Sequence, residues 1–244
     1  MSVIKKIKLP YVDIDIECTG KILLMVIGGR KPEPSWLKSL SFFDEIWAVD
    51  MGIETCREAC VIPKMLIGDG DSSSPEAWEW AVEKNVPVRK FNKDKDLTDF
   101  QLALKIAKEE RSDYSLFLTG CFGGRFDHMW STAISMLHTE QAPPPIGMAD
   151  GREGMIFLKG PALADFKFTD RPEAVSVIPF SERCSGVSLS GVRWPLCRAS
   201  LDYSKPYSIS NRLDEAMRMR AEIECGLAGI YWEWGISCRQ QSCY

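Results

Sequence analysis

Four short apolar runs, at residues 22–27, 46–49, 65–67 and 115–118, punctuate the first 140 residues, and each is bounded by polar or turn-forming residues. Runs this short and this uniformly apolar read as strands buried on both faces. The stretches between them have a different period. Phe100, Ala103, Leu104 and Ala107 fall at i, i+3, i+4 and i+7, and Trp130, Ala133, Ile134 and Leu137 repeat the spacing, so each set lines one face of a helix. Ser74 followed by Pro75 marks a helix start for the stretch through Trp78, Ala81 and Val82. Alternation of buried strands with amphipathic helices predicts a parallel sheet flanked by helices, because parallel neighbours need a crossover between them. At 244 residues, 45% of them hydrophobic, the chain can bury a sizeable core without disulfide or metal staples.

The character changes after Leu137. Pro143, Pro144 and Pro145 form a stiff break that neither a helix nor a central strand tolerates. Beyond it, short β-like pieces at residues 155–158, 174–179, 187–189 and 230–232 are separated by Gly, Ser and Pro, the pattern of a smaller all-β unit. The boundary is expected near residues 139–150, which gives one domain over residues 20–140 and another over 150–244. Residues 1–20 are charged and mixed and read as a short strand or an extended arm with no derivable role.

Thirty-four acids against 30 bases give a net charge of −4, which argues against a nucleic-acid or anionic-membrane surface. The nine cysteines are an odd number, contain no CxxC pair and are accompanied by only two histidines, so neither a disulfide framework nor a zinc finger is expected. The N-terminus lacks the apolar core of a signal peptide, and no apolar run approaches the ~20 residues a membrane helix needs. The expectation is a soluble, cytoplasmic protein with reduced thiols.

The informative feature is where the carboxylates stand. Asp50 ends one apolar run, and Asp69 and Asp71 end the next in Gly68-Asp69-Gly70-Asp71-Ser72. Ligands of open α/β sheets bind beyond the carboxyl ends of the strands, and Asp99, opening a helix, can join these acids there. Two carboxylates about 5 Å apart repel by ~3 kcal/mol at an effective dielectric of 20. Such a group calls for a hard, oxygen-liganded cation such as Mg2+, which usually comes with phosphates. Each acid also has an ordinary use, since an Asp after a strand is commonly a turn former or a helix cap. Thr98 and Gln101 fit a capping box, which leaves Asp99 to point elsewhere. Between a strand and a helix lies Gly120-Cys121-Phe122-Gly123-Gly124-Arg125-Phe126-Asp127-His128. Its glycines let backbone N–H groups approach an anion, Arg125 adds a forked donor, and Asp127 can orient Arg125 or reach the metal through water. It does not match the GxxxxGK[ST] phosphate loop.

Asp50, Gly68-Asp69-Gly70-Asp71-Ser72, Lys95-Asp96-Leu97-Thr98-Asp99 and Gly123-Gly124-Arg125-Phe126-Asp127-His128, in that order and spacing, resemble the GDxDS, KDxTD and GGRxDH motifs of the thiamine pyrophosphokinase family. Ser190-Gly191-Val192-Arg193-Trp194-Pro195-Leu196 and Ser208-Ile209-Ser210-Asn211 extend the similarity into the second half, so that it covers roughly residues 22–233. The resemblance implies an N-terminal, Rossmann-like α/β domain that binds ATP and magnesium. It also implies a C-terminal β-sandwich that binds thiamine, and a homodimer with its sites at the interface.

The implied reaction moves a diphosphoryl group from ATP to thiamine and releases AMP. By resemblance, Asp69, Asp71 and Asp99, with Asp50 in support, hold Mg2+. Lys95, Thr98, Gln101, Gly123, Gly124, Arg125, Asp127 and His128 line the nucleotide and phosphate region. Asp71, Asp99, Arg125 and Asp127 are the expected catalytic group, and Trp194, Ser208, Ser210 and Asn211 match the thiamine side. Ser208 and Ser210, if on a strand, would share one face. Two positions depart from the family pattern: Met51 replaces the first of two glycines after Asp50, and Thr132 replaces an asparagine. The alternatives are a pterin-alcohol diphosphokinase on a similar scaffold and a thiamine-binding protein that has lost catalysis.

Overall fold

The computed structural model describes residues 2–91, 96–140, 142–205 and 207–235. Its first eight strands are β1 (Ser2–Leu9), β2 (Val12–Thr19), β3 (Lys21–Val26), β4 (Glu45–Val49), β5 (Met65–Gly68), β6 (Val88–Lys90), β7 (Tyr114–Thr119) and β8 (Pro145–Ala149). The others are β9 (Glu153–Lys159), β10 (Ala162–Phe168), β11 (Ala174–Pro179), β12 (Arg183–Ser190), β13 (Leu196–Asp202), β14 (Arg218–Ile223) and β15 (Leu227–Glu233). The helices are α1 (Pro34–Ser39), α2 (Gly52–Glu58), α3 (Pro75–Glu83), α4 (Asp99–Glu110) and α5 (Phe126–His138). The chain divides into two compact units, one of residues 19–151 and one of residues 2–18 together with the chain from residue 152 onward.

In the first unit the strands run β8-β7-β3-β4-β5-β6, every neighbour parallel. All four runs predicted as buried strands are strands here, and β5 and β7 are buried at every position. The chain steps outward from β3 to β6, then returns through α4 to β7 on the other side of β3. With right-handed crossovers, that reversal sends the helices before it and those after it to opposite faces, and α2 packs on α3 while α4 packs on α5. The reversal also places a topological switch between β3 and β7, the position at whose carboxyl end open α/β sheets bind their ligands.

The prolines do not end this unit. β8 begins at Pro145, the position where a strand tolerates a residue without an N–H, and the carbonyl of Pro144 accepts from the N–H of Leu116 at 2.8 Å. Helix starts follow the sequence closely. Ser74 Oγ accepts from the N–H of Ala77 at 3.3 Å with Pro75 in the first turn, and Thr98 and Gln101 form a complete capping box.

The second unit is antiparallel. One sheet runs β1-β2-β10-β14-β12-β13, and β11-β15-β9 form a second layer. The four β-like pieces of the sequence lie in β9, β11, β12 and β15. Phe166 and Phe168 of β10 meet Trp232 of β15 edge to face, with ring centroids 5.9 and 6.3 Å apart, an arrangement that buries much apolar area at favourable ring geometry. β2 supplies Val12, Ile14 and Ile16 opposite Phe168, Phe166 and Ala164, and all three are buried. The charged start of the chain is thus a working strand pair of this sandwich, although the whole first unit separates it in sequence from β10.

Candidate active site

Asp50 follows β4 in left-handed backbone, φ 50°, a conformation Asp tolerates better than most residues. Its N–H donates to the carbonyl of Ile67 at 2.8 Å and its own carbonyl accepts from Ile53 at 3.2 Å, so the turn is tied both to β5 and to the start of α2. The carboxylate is half-buried, and its Oδ1 is shielded from solvent with no hydrogen-bond partner. Asp69 follows β5, and its Oδ1 accepts the N–H of Asp71 at 3.0 Å. Asp99 stands at the first position of α4, just inside the Thr98–Gln101 cap.

These three elements bring one carboxylate oxygen each from Asp50, Asp69 and Asp99 within 4.8 Å of one another. Burial, then the charges of Asp99 and Asp69, push the Asp50 carboxyl up to about 6 against a small offset from the Ser72 hydroxyl and the Met51 N–H. A crowded acid with a buried, unpartnered oxygen is the donor set a hard divalent cation takes, so the residues fit Mg2+. Asp71 lies in the same turn but outside this trio; it is exposed and accepts from the Ser72 hydroxyl at 2.9 Å.

The glycine loop after β7 is stitched to the end of β3. Ile27, Gly29 and Arg30 donate their N–H groups to the carbonyls of Thr119, Gly120 and Phe122 at 2.9, 2.6 and 2.7 Å. Gly120 has φ 71° and would drive a Cβ to 2.3 Å from the Ile27 carbonyl oxygen, so only glycine fits there. Gly123 and Gly124 are exposed. Arg125 and Asp127 form a two-point pair, Nε to Oδ1 at 3.1 Å and Nη2 to Oδ2 at 2.5 Å, and the N–H of His128 also donates to Asp127 at 3.0 Å. The pair is exposed, and each partner favours the other's charged form, lowering the Asp127 carboxyl and raising Arg125. The Gln101 amide reaches Ser135 Oγ at 3.2 Å and ties α4 to α5. Lys95 lies outside the described residues.

In the second unit Trp194 is exposed, and the Arg193 guanidinium lies over its ring at 4.8 Å. Asn211 is a clamp. Its Oδ1 accepts from the N–H groups of Trp194 and Arg212 at 3.1 and 2.9 Å, its Nδ2 donates to the Trp194 carbonyl at 2.7 Å, and only 5% of it is exposed. Ser208 is buried, whereas Ser210 is exposed in left-handed backbone and donates its N–H to Ser176 Oγ at 3.1 Å. They do not share a strand face, because the segment is irregular and is held by the two Val175–Asn211 hydrogen bonds rather than by a ladder.

Two family models match the chain: the thiamin pyrophosphokinase catalytic domain over residues 38–146, and the thiamin pyrophosphokinase vitamin B1 binding domain over residues 166–227. The chain belongs to the thiamine pyrophosphokinase family. The first match spans the acid trio and the glycine loop, and the second spans Trp194 and the Asn211 clamp. Thiamine pyrophosphokinase of Bacillus subtilis is 29% identical over 195 residues, 79% of this chain and 90% of that protein. The fold is that of the crystal structure of thiamine pyrophosphokinase from Bacillus subtilis, at TM-score 0.75 and 24% identity over 88% of this chain and 100% of that one. It is also that of yeast thiamin pyrophosphokinase, at TM-score 0.66 and 14% identity over 87% and 86%.

Against the thiamine pyrophosphokinase pattern, Met51 is accommodated by a neighbouring glycine. A Cβ on Gly28 would stand 2.7 Å from the Met51 Cβ, so the absent side chain at Gly28 leaves the space that Met51 takes. The second family glycine, Gly52, is retained where a Cβ would meet the Val26 carbonyl oxygen at 1.9 Å. The acid trio assembles with Met51 in place. Thr132 is half-buried on α5. What the sequence pattern does not single out is Arg30 with Asp150, an acid that follows β8 and is 3% exposed. The only signal is the Gly28-Gly29 pair after β3, which marks a close backbone approach.

Proposed function

We propose that this chain is a thiamine diphosphokinase, transferring the diphosphoryl group of ATP to the hydroxyethyl oxygen of thiamine with release of AMP. The observation that carries the proposal is the acid trio at the carboxyl ends of β4 and β5 and the start of α4. In the reaction the thiamine oxygen forms a bond to the β-phosphorus as the bond from that phosphorus to the α-phosphate side breaks. The hydroxyl proton passes to a carboxylate of the acid group, Asp71 or Asp99. Such a step needs in-line placement and charge neutralisation more than covalent help from the protein. Asp50, Asp69, Asp71 and Asp99 would hold Mg2+, which when bound neutralises the phosphate charge.

The residues around the glycine loop place the nucleotide in this proposal. Gly123 and Gly124 offer backbone N–H groups, and Arg125, oriented by Asp127, offers a fork to phosphate oxygens. Lys95, Thr98, Gln101 and His128 complete that region, with Thr98 and Gln101 also holding the helix start that carries Asp99. The domain of residues 20–140 is the ATP and magnesium side, and that of residues 150–244 the thiamine side. There Trp194, Ser208 and Ser210 receive the vitamin, whose fixed positive charge suits an aromatic face at ~0.5–2 kcal/mol, and Asn211 serves it by clamping the Trp194 backbone.

A homodimer with sites at its interface belongs to the same proposal. It is supported by α5, which buries only Ala133 and Met136 fully and leaves the stacked rings of Phe126 and Trp130 69% and 51% exposed. A cytoplasmic location is supported by the free thiols of Cys56, Cys60, Cys184, Cys197 and Cys225. No helix among the described residues is long and apolar enough to cross a membrane.

The test is to incubate the full chain with MgATP and either thiamine or 6-hydroxymethyldihydropterin and to identify products by mass. Thiamine diphosphate with AMP is the expected result. Pterin diphosphate alone would move the chain to the sister activity, and thiamine binding without AMP would make it a silent binder.

A further inference from the structure

We propose that Arg30 is a phosphate-binding residue of this site and that buried Asp150 is the positioning residue that aims it. Neither belongs to the GDxDS, KDxTD or GGRxDH motifs. Arg30 follows Gly28-Gly29 at the carboxyl end of β3, and Asp150 follows β8 at the same end of the sheet. The two strands lie on either side of β7 and its glycine loop, beside the point where the strand order reverses and where open α/β sheets bind ligands. Arg30 Nε and Nη2 both donate to Asp150 Oδ2, at 2.8 and 2.6 Å. The Asp150 side chain is 1% exposed and that of Arg30 26%, so the acid is sealed while the guanidinium stays within reach of a ligand.

The backbone fixes the base of the Arg30 side chain as firmly as Asp150 fixes its tip. The Arg30 N–H is bonded to the Phe122 carbonyl. Gly123 sits directly against the side chain, since a Cβ there would lie 3.0 Å from Arg30 Cβ and 3.7 Å from Nη1. The guanidinium is therefore held beside Gly123, one of the loop glycines whose backbone can approach an anion. Arg125, by contrast, is 73% exposed on its side chain and bound to Asp127 two residues away. A rigid guanidinium loses less freedom on meeting a phosphate, and its planar fork matches phosphate oxygens. A carboxylate sealed behind it keeps it from turning away.

This inference rests on the ATP-using reading above, and its test uses ATP without any acceptor, so the two fail separately. ATP and adenosine binding to the full chain are measured by titration calorimetry in the presence of Mg2+, alongside melting temperature. Arg30→Gln is expected to weaken ATP about tenfold, the scale of one lost charged fork, while adenosine binding is unchanged. Arg30→Lys, which keeps the charge without the fork, should lose less, and it serves if Arg30→Gln does not fold. Asp150→Asn should also weaken ATP binding, and in a separate turnover assay with thiamine it should raise the KM for ATP with little change in kcat. The double variant should be no worse than Arg30→Gln alone, because Asp150 acts only through Arg30. Unchanged ATP affinity in a folded Arg30 variant, or equal loss of ATP and adenosine, overturns the assignment. If ATP binds as described but thiamine is not the acceptor, the proposed function falls and this inference stands.

Discussion

The two ends of the parallel sheet treat the same kind of side chain in opposite ways. At the amino ends, Glu45 opens β4 and accepts from Arg111 Nε and Nη2, both at 2.9 Å, and from Trp47 Nε1 at 2.7 Å. Nearby, Lys21 pairs with Asp113 at 3.4 Å, and Asp44 takes the N–H of Ile22 at 2.8 Å. Burial pushes the Glu45 carboxyl up, but the bonds from Arg111 and Trp47 outweigh it and hold the group below its usual range. At the carboxyl ends, five residues on, Asp50 is also partly buried, yet its neighbours are Asp69 and Asp99 and it rises to about 6. One end has its charges answered within the fold and so adds stability. The other gathers three acids around one partly buried carboxyl whose Oδ1 has no hydrogen-bond partner, an arrangement typical of a site where a ligand supplies positive charge.

The largest effect should come from breaking the crowded acid trio. Asp69→Asn and Asp99→Asn should each lower thiamine-dependent AMP release at least about 100-fold, the scale for losing one charge-stabilising group in an active site. The same variants should melt no lower than the parent chain without metal, because a like-charge contact is removed. Turnover within a few-fold of the parent would detach the trio from the chemistry.

A second, smaller effect is read by pH. The Asp50 carboxyl is raised from 3.8 to about 6, so between those values the folded chain holds a proton that the unfolded chain has released. Metal-free stability should therefore fall as the pH rises through that window, and the penalty should persist above it. Mg2+ affinity should run the other way, climbing until the group ionises. Asp50→Asn should flatten the metal-free profile, and melting curves from pH 4 to 7 with and without MgCl2 check both slopes.

At the answered end the readouts should exchange places. Glu45→Ala strips Arg111 and Trp47 of their acceptor and should cost about 1–3 kcal/mol of stability in denaturant unfolding, with turnover unchanged. Because the folded Glu45 carboxyl is depressed, its contribution is present above the ordinary carboxylate range and is lost as the pH falls below it. A loss of turnover with intact stability would erase the contrast between the two ends.

The sequence exposes the second end better than the first. Apolar runs closed by Asp or by Gly-Asp-Gly-Asp mark strand ends directly, and the runs themselves, with their Gly, Ser and Pro punctuation, place β3, β4, β5, β7 and the four pieces of the sandwich. Caps at Ser74 and Thr98 are local, so three or four residues suffice to see them. What stays hidden is set by contacts distant in sequence. Arg30 meets Asp150 across 120 residues, β2 meets β10, and Arg111 reaches Glu45 across 66 residues. β8 escapes because its prolines look like a break until a neighbouring strand is there to accept them. Asn211 reads as a ligand-side residue from its motif, while its carboxamide is occupied in holding the Trp194 backbone.

The smallest expected effect tests whether a residue at the carboxyl end can be structural alone. Thr98 Oγ1 accepts the Gln101 N–H at 3.2 Å, and Gln101 Oε1 accepts the Thr98 N–H at 3.0 Å. Thr98→Ala should cost about 1 kcal/mol by removing this cap. It should also reduce turnover slightly, since Asp99 sits on the turn the cap holds. Thr98→Asn separates the two roles, because asparagine caps as well as threonine but carries no hydroxyl. If it restores stability and turnover together, Thr98 acts by holding α4. If stability returns while the KM for ATP stays raised, the hydroxyl itself meets the nucleotide, and the cap and the site share one side chain.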